Sequence, residues 1–313
     1  MSRISKILVT GGAGFIGSHL TARLLSEGYS VIVFDNLVSG KLENLKQVTG
    51  LAGFEFKQGD IRDRLAVAEA LCGADAVIHL AALIDVEKSV LDPTPTHEVN
   101  ATGTLNVLQE AVRQGVKRFV LASSAAVYGD TEKLPLREDT PLRPLSPYAA
   151  SKISAEAYCQ AFAKSYALNT IILRPFNVYG SRSANSPYSG VITKLLKAVA
   201  SNDTFTIQGD GKQTRDFIHV NDIVQSITLT LRREKLASEA INICTGKPTS
   251  INQLIQAVEK ATGRTLTTRR GPPRKGDIKN NYGDPNKAQK LLKFKAKTDL
   301  EKGLKQLAAT KSR

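Results

Sequence analysis

Through the first half of the chain, short runs that are apolar on both faces alternate with segments of helical period. The runs are Ile7–Val9, Val31–Phe34, Phe54–Phe56, Ala76–Leu80, Phe119–Ala122 and Thr170–Leu173. Short apolar runs of this kind predict fully buried strands. Helical patterns cover Phe15–Ser26, closed by Gly28 as a C-terminal cap, then Arg64–Leu71, Thr102–Gln114 and Tyr148–Tyr166. Strands joined by helices predict an α/β fold with a doubly wound parallel sheet over residues 1–175. Beyond Pro175 the texture changes. Loops rich in Gly, Pro, Ser and Asn at 181–190, 209–214 and 271–286 separate helical patterns at Val191–Ala200, Asp222–Arg232, Ile251–Thr262 and Asp299–Leu307. Residues 176–313 read as a smaller, mostly helical lobe, with some segments returning to the sheet.

Composition narrows the class. The 313 residues are 42% hydrophobic and 23% charged, an ordinary globular mix with enough apolar material for a large core. No apolar run nears the roughly 20 residues that span a bilayer, and the N-terminus lacks the apolar stretch of a secretion signal. Cys72, Cys159 and Cys244 are few, odd in number and far apart, which fits a reducing, cytoplasmic compartment. Neither they nor the four histidines have metal-ligand spacing, so no metal is expected. The net charge is +14, but Lys and Arg are spread along the chain. The densest cluster, Arg269, Arg270, Arg274 and Lys275, lies in a Gly/Pro loop without the aromatic residues of a nucleic-acid module. A solvated basic exterior around a site for anionic small molecules is expected, with neither nucleic acid nor membrane as partner.

The first candidate chemistry is the turn GGAGFIG. Gly11, Gly14 and Gly17 follow the first strand and open the first helix, with Phe15 and Ile16 between them. The first glycine allows the tight turn, the second lets backbone approach a pyrophosphate, and the third lets helix and strand pack closely. The free N–H groups of the helix start then receive phosphate. A glycine triad alone is a weak signal; here it has the strand–turn–helix context of a Rossmann-type dinucleotide site. Asp35 ends the second strand, roughly 20 residues on, where a carboxylate accepts ribose hydroxyls and repels a 2′-phosphate, so NAD is expected rather than NADP. Asn36 lies beside it. Asp60 and Ile61 follow the third strand, where they would flank adenine. Leu80, Ala81 and Ala82 follow the fourth, where small residues let a cofactor cross the sheet edge.

The second is a redox constellation. The fifth strand ends in Ser123 and Ser124, and Tyr148 and Lys152 fall one helical turn apart on one face. A phenol near pKa 10 is a poor base at neutral pH. A nearby ammonium and a cationic nicotinamide ring would both favour the phenolate. Lys152 would also hold the nicotinamide ribose, and Ser124 would hydrogen-bond the reacting alcohol oxygen.

With these residues and the stretches VTGGAGFIGSHL, HLAA, SSAAVYG, SPYAASK, RPFNVYGSR, GDGKQTRDFIHVNDI and PPRKGDI, the chain resembles the extended short-chain dehydrogenase/reductase family over nearly its whole length. Within that family it is most similar to the NAD-dependent sugar-nucleotide epimerases, in particular those acting at C4 of UDP-glucose and UDP-galactose. The resemblance implies Tyr148 as the base, Lys152 as its electrostatic partner and Ser124 as partner of the 4′-oxygen. It implies that Asn100 helps hold a tightly bound NAD, that Pro175 and Phe176 lie near the nicotinamide, and that Asn177, Arg215, Arg274 and Asp277 hold the nucleotide diphosphate and ribose. Val86, Ser89 and Val191 are further candidates near the sugar. Oxidation to a 4-ketosugar, rotation and re-reduction would invert C4′ of a UDP-hexose. Related enzymes pair through two helices of each subunit, and the helices near Thr102 and Tyr148 carry apolar faces that would serve such a four-helix homodimer.

Departures sharpen the reading. Relatives that dehydrate their sugars carry an Asp-Glu pair where this chain has Ala125 and Ala126, and decarboxylases carry a Glu in the same stretch. Asn281 stands where some relatives place a Tyr that restricts N-acetylated sugars, although Asn280 could occupy that place instead; the smaller residue would admit UDP-N-acetylhexosamines. Ile84 stands where some relatives have a lysine. Another sugar-nucleotide enzyme of the family (a UDP-glucuronate epimerase or decarboxylase, or a 4,6-dehydratase) and a non-catalytic NAD- or RNA-binding scaffold are the alternatives.

Overall fold

A computed structural model describes residues 4–183, 190–233, 236, 238–273 and 278–311. The chain runs β1 (Lys6–Thr10), α1 (Phe15–Ser26), β2 (Ser30–Asp35), β3 (Phe54–Gln58), α2 (Arg64–Leu71), β4 (Ala76–His79), α3 (Val86–Leu91), α4 (Pro93–His97), α5 (Thr104–Arg113), β5 (Arg118–Ala122), α6 (Pro147–Tyr166), β6 (Thr170–Pro175) and β7 (Asn177–Tyr179). It continues through α7 (Val191–Ser201), β8 (Phe205–Gln208), β9 (Thr214–His219), α8 (Val220–Leu231), β10 (Glu239–Ile243), β11 (Pro248–Ser250), α9 (Ile251–Thr262), β12 (Thr268–Gly271), β13 (Asn280–Asn281), α10 (Asn286–Leu292) and α11 (Leu300–Lys311).

Seven strands form one parallel sheet in the order β3-β2-β1-β4-β5-β6-β10. Alternation along each strand feeds two cores. Ile7, Val9, Val31, Val33 and Ile78 face one side with Leu20 and Leu24 of α1 and Ile223 and Ile227 of α8. Leu8, Ile32, Phe34, Val77 and Phe119 face the other with α2, α5 and α6. Both faces are thus buried, as the continuous apolar runs predict. The strand order reverses between β1 and β4, where such sheets open a crevice at their carboxyl ends.

The second half divides its work. β10 joins the sheet edge beside β6, with Ile241 opposite Leu173, and α8 and α10 pack near it. Charged Glu239 and polar Asn242 hide this strand from a search for apolar runs. The remaining lobe is built on α7, α9 and α11, whose apolar faces (Leu195, Leu196, Leu254, Val258, Leu304) form a third core. Strands β7, β9, β11 and β13 run along it. They are two to six residues long and lack a hydrophobic run of their own. A further difference lies before α5: Glu98–Gly103 forms a wide π turn, so the regular helix begins at Thr104 rather than Thr102.

One buried ion pair ties the catalytic end of the sheet together. Arg174 at the end of β6 and Glu156 of α6 are both buried and meet at 2.6 Å (Nη2–Oε2) and 2.9 Å (Nε–Oε1). Arg174 also donates to Tyr128 Oη at 2.8 Å, Tyr128 donates to Asn242 Oδ1 of β10 at 2.6 Å, and the Ser123 hydroxyl donates to Glu156. Removing one partner leaves an uncompensated buried charge, which costs about 3–5 kcal/mol. Arg174→Met should therefore lower unfolding free energy in urea by about that amount, whereas Arg174→Met with Glu156→Leu should recover much of it. A double variant destabilised by the sum of the Arg174→Met and Glu156→Leu effects would show that the charges are not coupled.

Candidate active site

The carboxyl ends of the strands open on a cleft of about 730 Å³. Its cofactor half begins at the glycine turn. Gly11 has φ +68°, and a Cβ on Gly17 would lie 2.2 Å from the Gly11 carbonyl oxygen, so neither position accepts a side chain. No side chain caps α1, which leaves the N–H groups of its first turn for a ligand where Gly14, Phe15 and Ile16 line the cleft.

Asp35 is buried at the end of β2 and accepts from Ala13 N (3.0 Å) and Leu37 N (2.8 Å). Burial raises its pKa, and the two backbone bonds oppose that. Asn36, Ile61, Leu80, Ala81 and Ala82 line the same half. Asp60 does not. It accepts from Asn36 Nδ2 (2.9 Å) and from Arg62 Nη2 (2.8 Å), and the Arg62 hydrogen bonds draw its pKa down to about 2. It orients Asn36 and Arg62, and Arg62 reaches the cleft. Asn100 is buried behind the wall. It grips the Leu83 backbone by Oδ1 and Nδ2, both at 2.8 Å, and donates to Ser151 Oγ at 2.9 Å.

Beneath this wall His79 bridges Thr10 Oγ1 (2.8 Å) and Thr104 Oγ1 (3.0 Å). Thr104 donates its own proton to the Asn100 carbonyl, so His79 must present Nε2–H to it and accept from Thr10 through Nδ1. Full burial holds this imidazole neutral, with its pKa lowered to about 3.

Ser124, Tyr148 and Lys152 meet at the centre of the cleft. Ser124 follows β5 and accepts from Ala126 N at 3.1 Å. Tyr148 occupies the first turn of α6, where Pro147 at the start and Ser146 as N-cap fix the helix origin. Its hydroxyl hydrogen-bonds to Ser124. Ser89, expected near the sugar, lies instead behind Tyr148 and accepts from its backbone N–H at 3.2 Å.

The electrostatics differ from the sequence expectation. Burial raises the pKa of Tyr148, and the opposing influence is the Ser124 hydrogen bond rather than the Lys152 charge. Lys152 Nζ turns to the Ala122 carbonyl at 2.9 Å. Burial lowers its pKa to about 8, with Glu156 opposing.

In the substrate half, Val86, Pro175, Phe176, Asn177, Val191 and Arg215 line the cleft. Arg274 and Asp277 lie outside the described residues. The register of β13 settles which asparagine faces inward: Asn281 lines the cleft beside Arg215, whereas Asn280 accepts from the Thr214 hydroxyl. Ala125 and Ala126 line the wall next to Tyr148, and among the described lining residues the one carboxylate is Asp35. Against it stand Arg62, Lys152, Arg182 and Arg215, a cationic excess suited to diphosphates. Arg62 and Arg182 escaped the sequence reading because single arginines carry no signal among 43 Lys and Arg. Among the described residues no His, Cys, Asp and Glu cluster could hold a metal ion, and no helix is long and apolar enough to cross a membrane.

Comparison with known proteins agrees with this geometry. Residues 7–244 match the NAD dependent epimerase/dehydratase family. A putative UDP-glucose 4-epimerase of Methanocaldococcus jannaschii is 38% identical over 303 residues, covering 96% of each chain. A UDP-N-acetylglucosamine 4-epimerase of Methanobrevibacter ruminantium, solved with UDP-N-acetylmuramic acid, superposes with a TM-score of 0.93 at 34% identity over 100% of both chains. A UDP-glucose 4-epimerase of Thermotoga maritima, solved with UDP-glucose, gives 0.91 at 37% identity over 98% of this chain and 99% of the other. The chain therefore belongs to the NAD-dependent epimerase/dehydratase family.

Proposed function

We propose that the chain is an NAD-dependent UDP-hexose 4-epimerase that interconverts UDP-glucose and UDP-galactose and also accepts UDP-N-acetylhexosamines. The observation that carries this is the pairing of half-buried Ser124 with buried Tyr148 beside Ala125 and Ala126. Dehydration or decarboxylation asks for a further acid or base next to the sugar, and two methyl groups cannot transfer protons. Moving one hydride and one proton needs a single proton-handling side chain.

The cleft fits the cofactor. The glycine turn, the Asp35 carboxylate and Ser123 would hold NAD, with Lys152, Pro175 and Phe176 at the nicotinamide end. NAD when bound supplies reversible hydride acceptance, so it is regenerated in each turnover. Tyr148 takes the proton from the 4′-hydroxyl and returns it after the 4-ketosugar has rotated. Ser124 holds the 4′-oxygen through both steps. Arg215, Asn177, Arg274 and Asp277 would grip the nucleotide diphosphate and ribose while the hexose turns. Val86 and Val191 would bound the sugar.

Tyr148→Phe should lower kcat by roughly 10²- to 10⁴-fold while the Kd for UDP stays unchanged by calorimetry. A variant that keeps substantial turnover would remove Tyr148 from the base role. Asn281 is small and faces the sugar half, so the wild type should turn over both UDP-galactose and UDP-N-acetylgalactosamine. Asn281→Tyr should depress kcat/KM for the acetylated sugar at least tenfold more than for the plain one. A wild type inactive on the acetylated sugar would refute the wider pocket.

The same reading includes a homodimer, although the expected pair of helices changes: Val107, Leu108 and Ala111 of α5 are buried against the chain's own sheet, so the exposed apolar strip lies on α3 and α6. Val90 and Leu91 of α3, 61% and 85% exposed, adjoin the outer face of α6, where Ala157, Tyr158 and Ala161 are also exposed. Two copies of this strip would bury one another as a four-helix interface. Tyr158→Asp with Ala161→Glu should convert the protein to a monomer of unchanged circular dichroism. A wild type sedimenting at 33.8 kDa would rule the dimer out. Two buried free cysteines suit a reducing, cytoplasmic compartment, which cell fractionation would check.

A further inference from the structure

Arg182 stands out among the charged groups of the cleft. Its side chain lines the cavity, its Nη2 donates to Gln47 Oε1 at 3.2 Å, and its buried Nη1 has no hydrogen-bond partner among the described residues. No described carboxylate pairs with it, and burial lowers its pKa. A half-buried guanidinium whose buried N–H is idle is costly unless an anion arrives to complete it. The backbone adds a second sign. Arg182 sits at φ +66°, a left-handed conformation that a bulky residue adopts only when its surroundings impose it.

Its surroundings place that charge on the cofactor side. The preceding Ser181 offers its carbonyl to His19 Nε2 of α1 at 3.1 Å. Gln47 follows the short helical turn Leu42–Leu45, whose Asn44 donates to the Ala13 carbonyl of the glycine turn at 2.9 Å. Arg182 therefore flanks the same turn whose free N–H groups face the cleft. Arg215 lies at the other end. β7 runs parallel to β9, with Asn177 opposite Phe217 and Tyr179 opposite His219, so Arg215 precedes this pairing and Arg182 follows it. The four residue steps from Arg215 to His219 span roughly 13 Å of β9.

We propose that Arg182 is a diphosphate clamp for the cofactor: its Nη1 donates to a pyrophosphate oxygen of the bound dinucleotide from the side opposite the glycine turn, while the arginines of the second lobe serve the nucleotide sugar. The inference rests on the NAD-binding reading of the cleft. It also gives a cation at the rim of a cleft in which Ile84 supplies none.

The test compares wild type, Arg182→Gln and Arg182→Lys. Retention of NAD through gel filtration and the Kd for added NAD are measured beside the Kd for UDP. Arg182→Gln should weaken NAD binding roughly 10- to 100-fold and leave UDP within twofold. Arg182→Lys, which keeps the charge but not the planar fork, should recover part of the loss. NAD affinity in the glutamine variant should also fall less steeply with added salt. Weakened UDP binding with NAD retained would assign Arg182 to the nucleotide sugar and overturn the proposal. Equal loss of both ligands, or of neither, would overturn it as well. A wild type that binds no NAD would fail at the underlying reading, which the wild-type measurement separates from failure of the clamp.

Discussion

The catalytic end of the molecule depends on the buried contact between Glu156 and Arg174. Glu156 lies one helical turn beyond Lys152 and two beyond Tyr148, on the same face of α6. Arg174 immediately precedes Pro175 and Phe176, and the Ser123 hydroxyl that donates to Glu156 belongs to the residue before Ser124. One ion pair thus sets the relative heights of β5, α6 and β6, which carry the serine, the tyrosine with its lysine, and the apolar wall beyond them. Geometry of this kind cannot come from hydrophobic packing alone, because apolar contacts tolerate sliding that a bidentate pair forbids. The Arg174–Tyr128–Asn242 chain extends the constraint to β10, so a strand from the second half of the sequence is held to the same frame.

Around that frame the charges are sorted by distance from the chemistry. Glu156 is close enough to keep the Lys152 pKa from falling further, yet it is saturated by Arg174 and Ser123 and does not face the cleft. Asp35 faces the cleft from the end of β2, where it secures the loop after that strand through Leu37 N. His79 is kept neutral between two threonines, so no imidazolium competes under the cofactor wall. The sugar end is left with Ser124 and Tyr148 and no spare proton donor on the adjoining alanines. Selectivity for epimerisation among the related reactions is in this view a matter of what the wall lacks.

Much of this was legible in the residues. The first strand, the glycine turn and α1 follow from a local pattern with a single steric solution, and Tyr148 and Lys152 share a helix face by spacing alone. Asp60, Asn100 and Ser89 were found by position, but their placement behind the cleft wall depends on hydrogen bonds to Arg62, Leu83 and Tyr148, which no local spacing encodes. β10 escaped because an edge strand with one polar partner per turn of pattern does not announce itself. Arg182 escaped because its meaning lies in an unpaired N–H and a left-handed backbone, both properties of the folded chain. The inward direction of Asn281 needed the register of β13 on β9.

The largest departure, the elevated Tyr148 pKa, changes how the mechanism should be understood. A phenol held up by burial, with only a serine hydroxyl opposing, stays protonated at neutral pH in the protein alone. The charge that favours its phenolate must then be brought by what fills the cleft. On the proposed role of Tyr148 as the base, proton release is conditional on a loaded site, and the group regains its proton affinity whenever that charge is neutralised. A base whose strength follows the occupancy and charge of its own cleft can accept a proton in one half of a cycle and return it in the next. A permanently ionised base would lack that reversibility, and an epimerase requires it because its two half-reactions run in opposite directions over the same atoms.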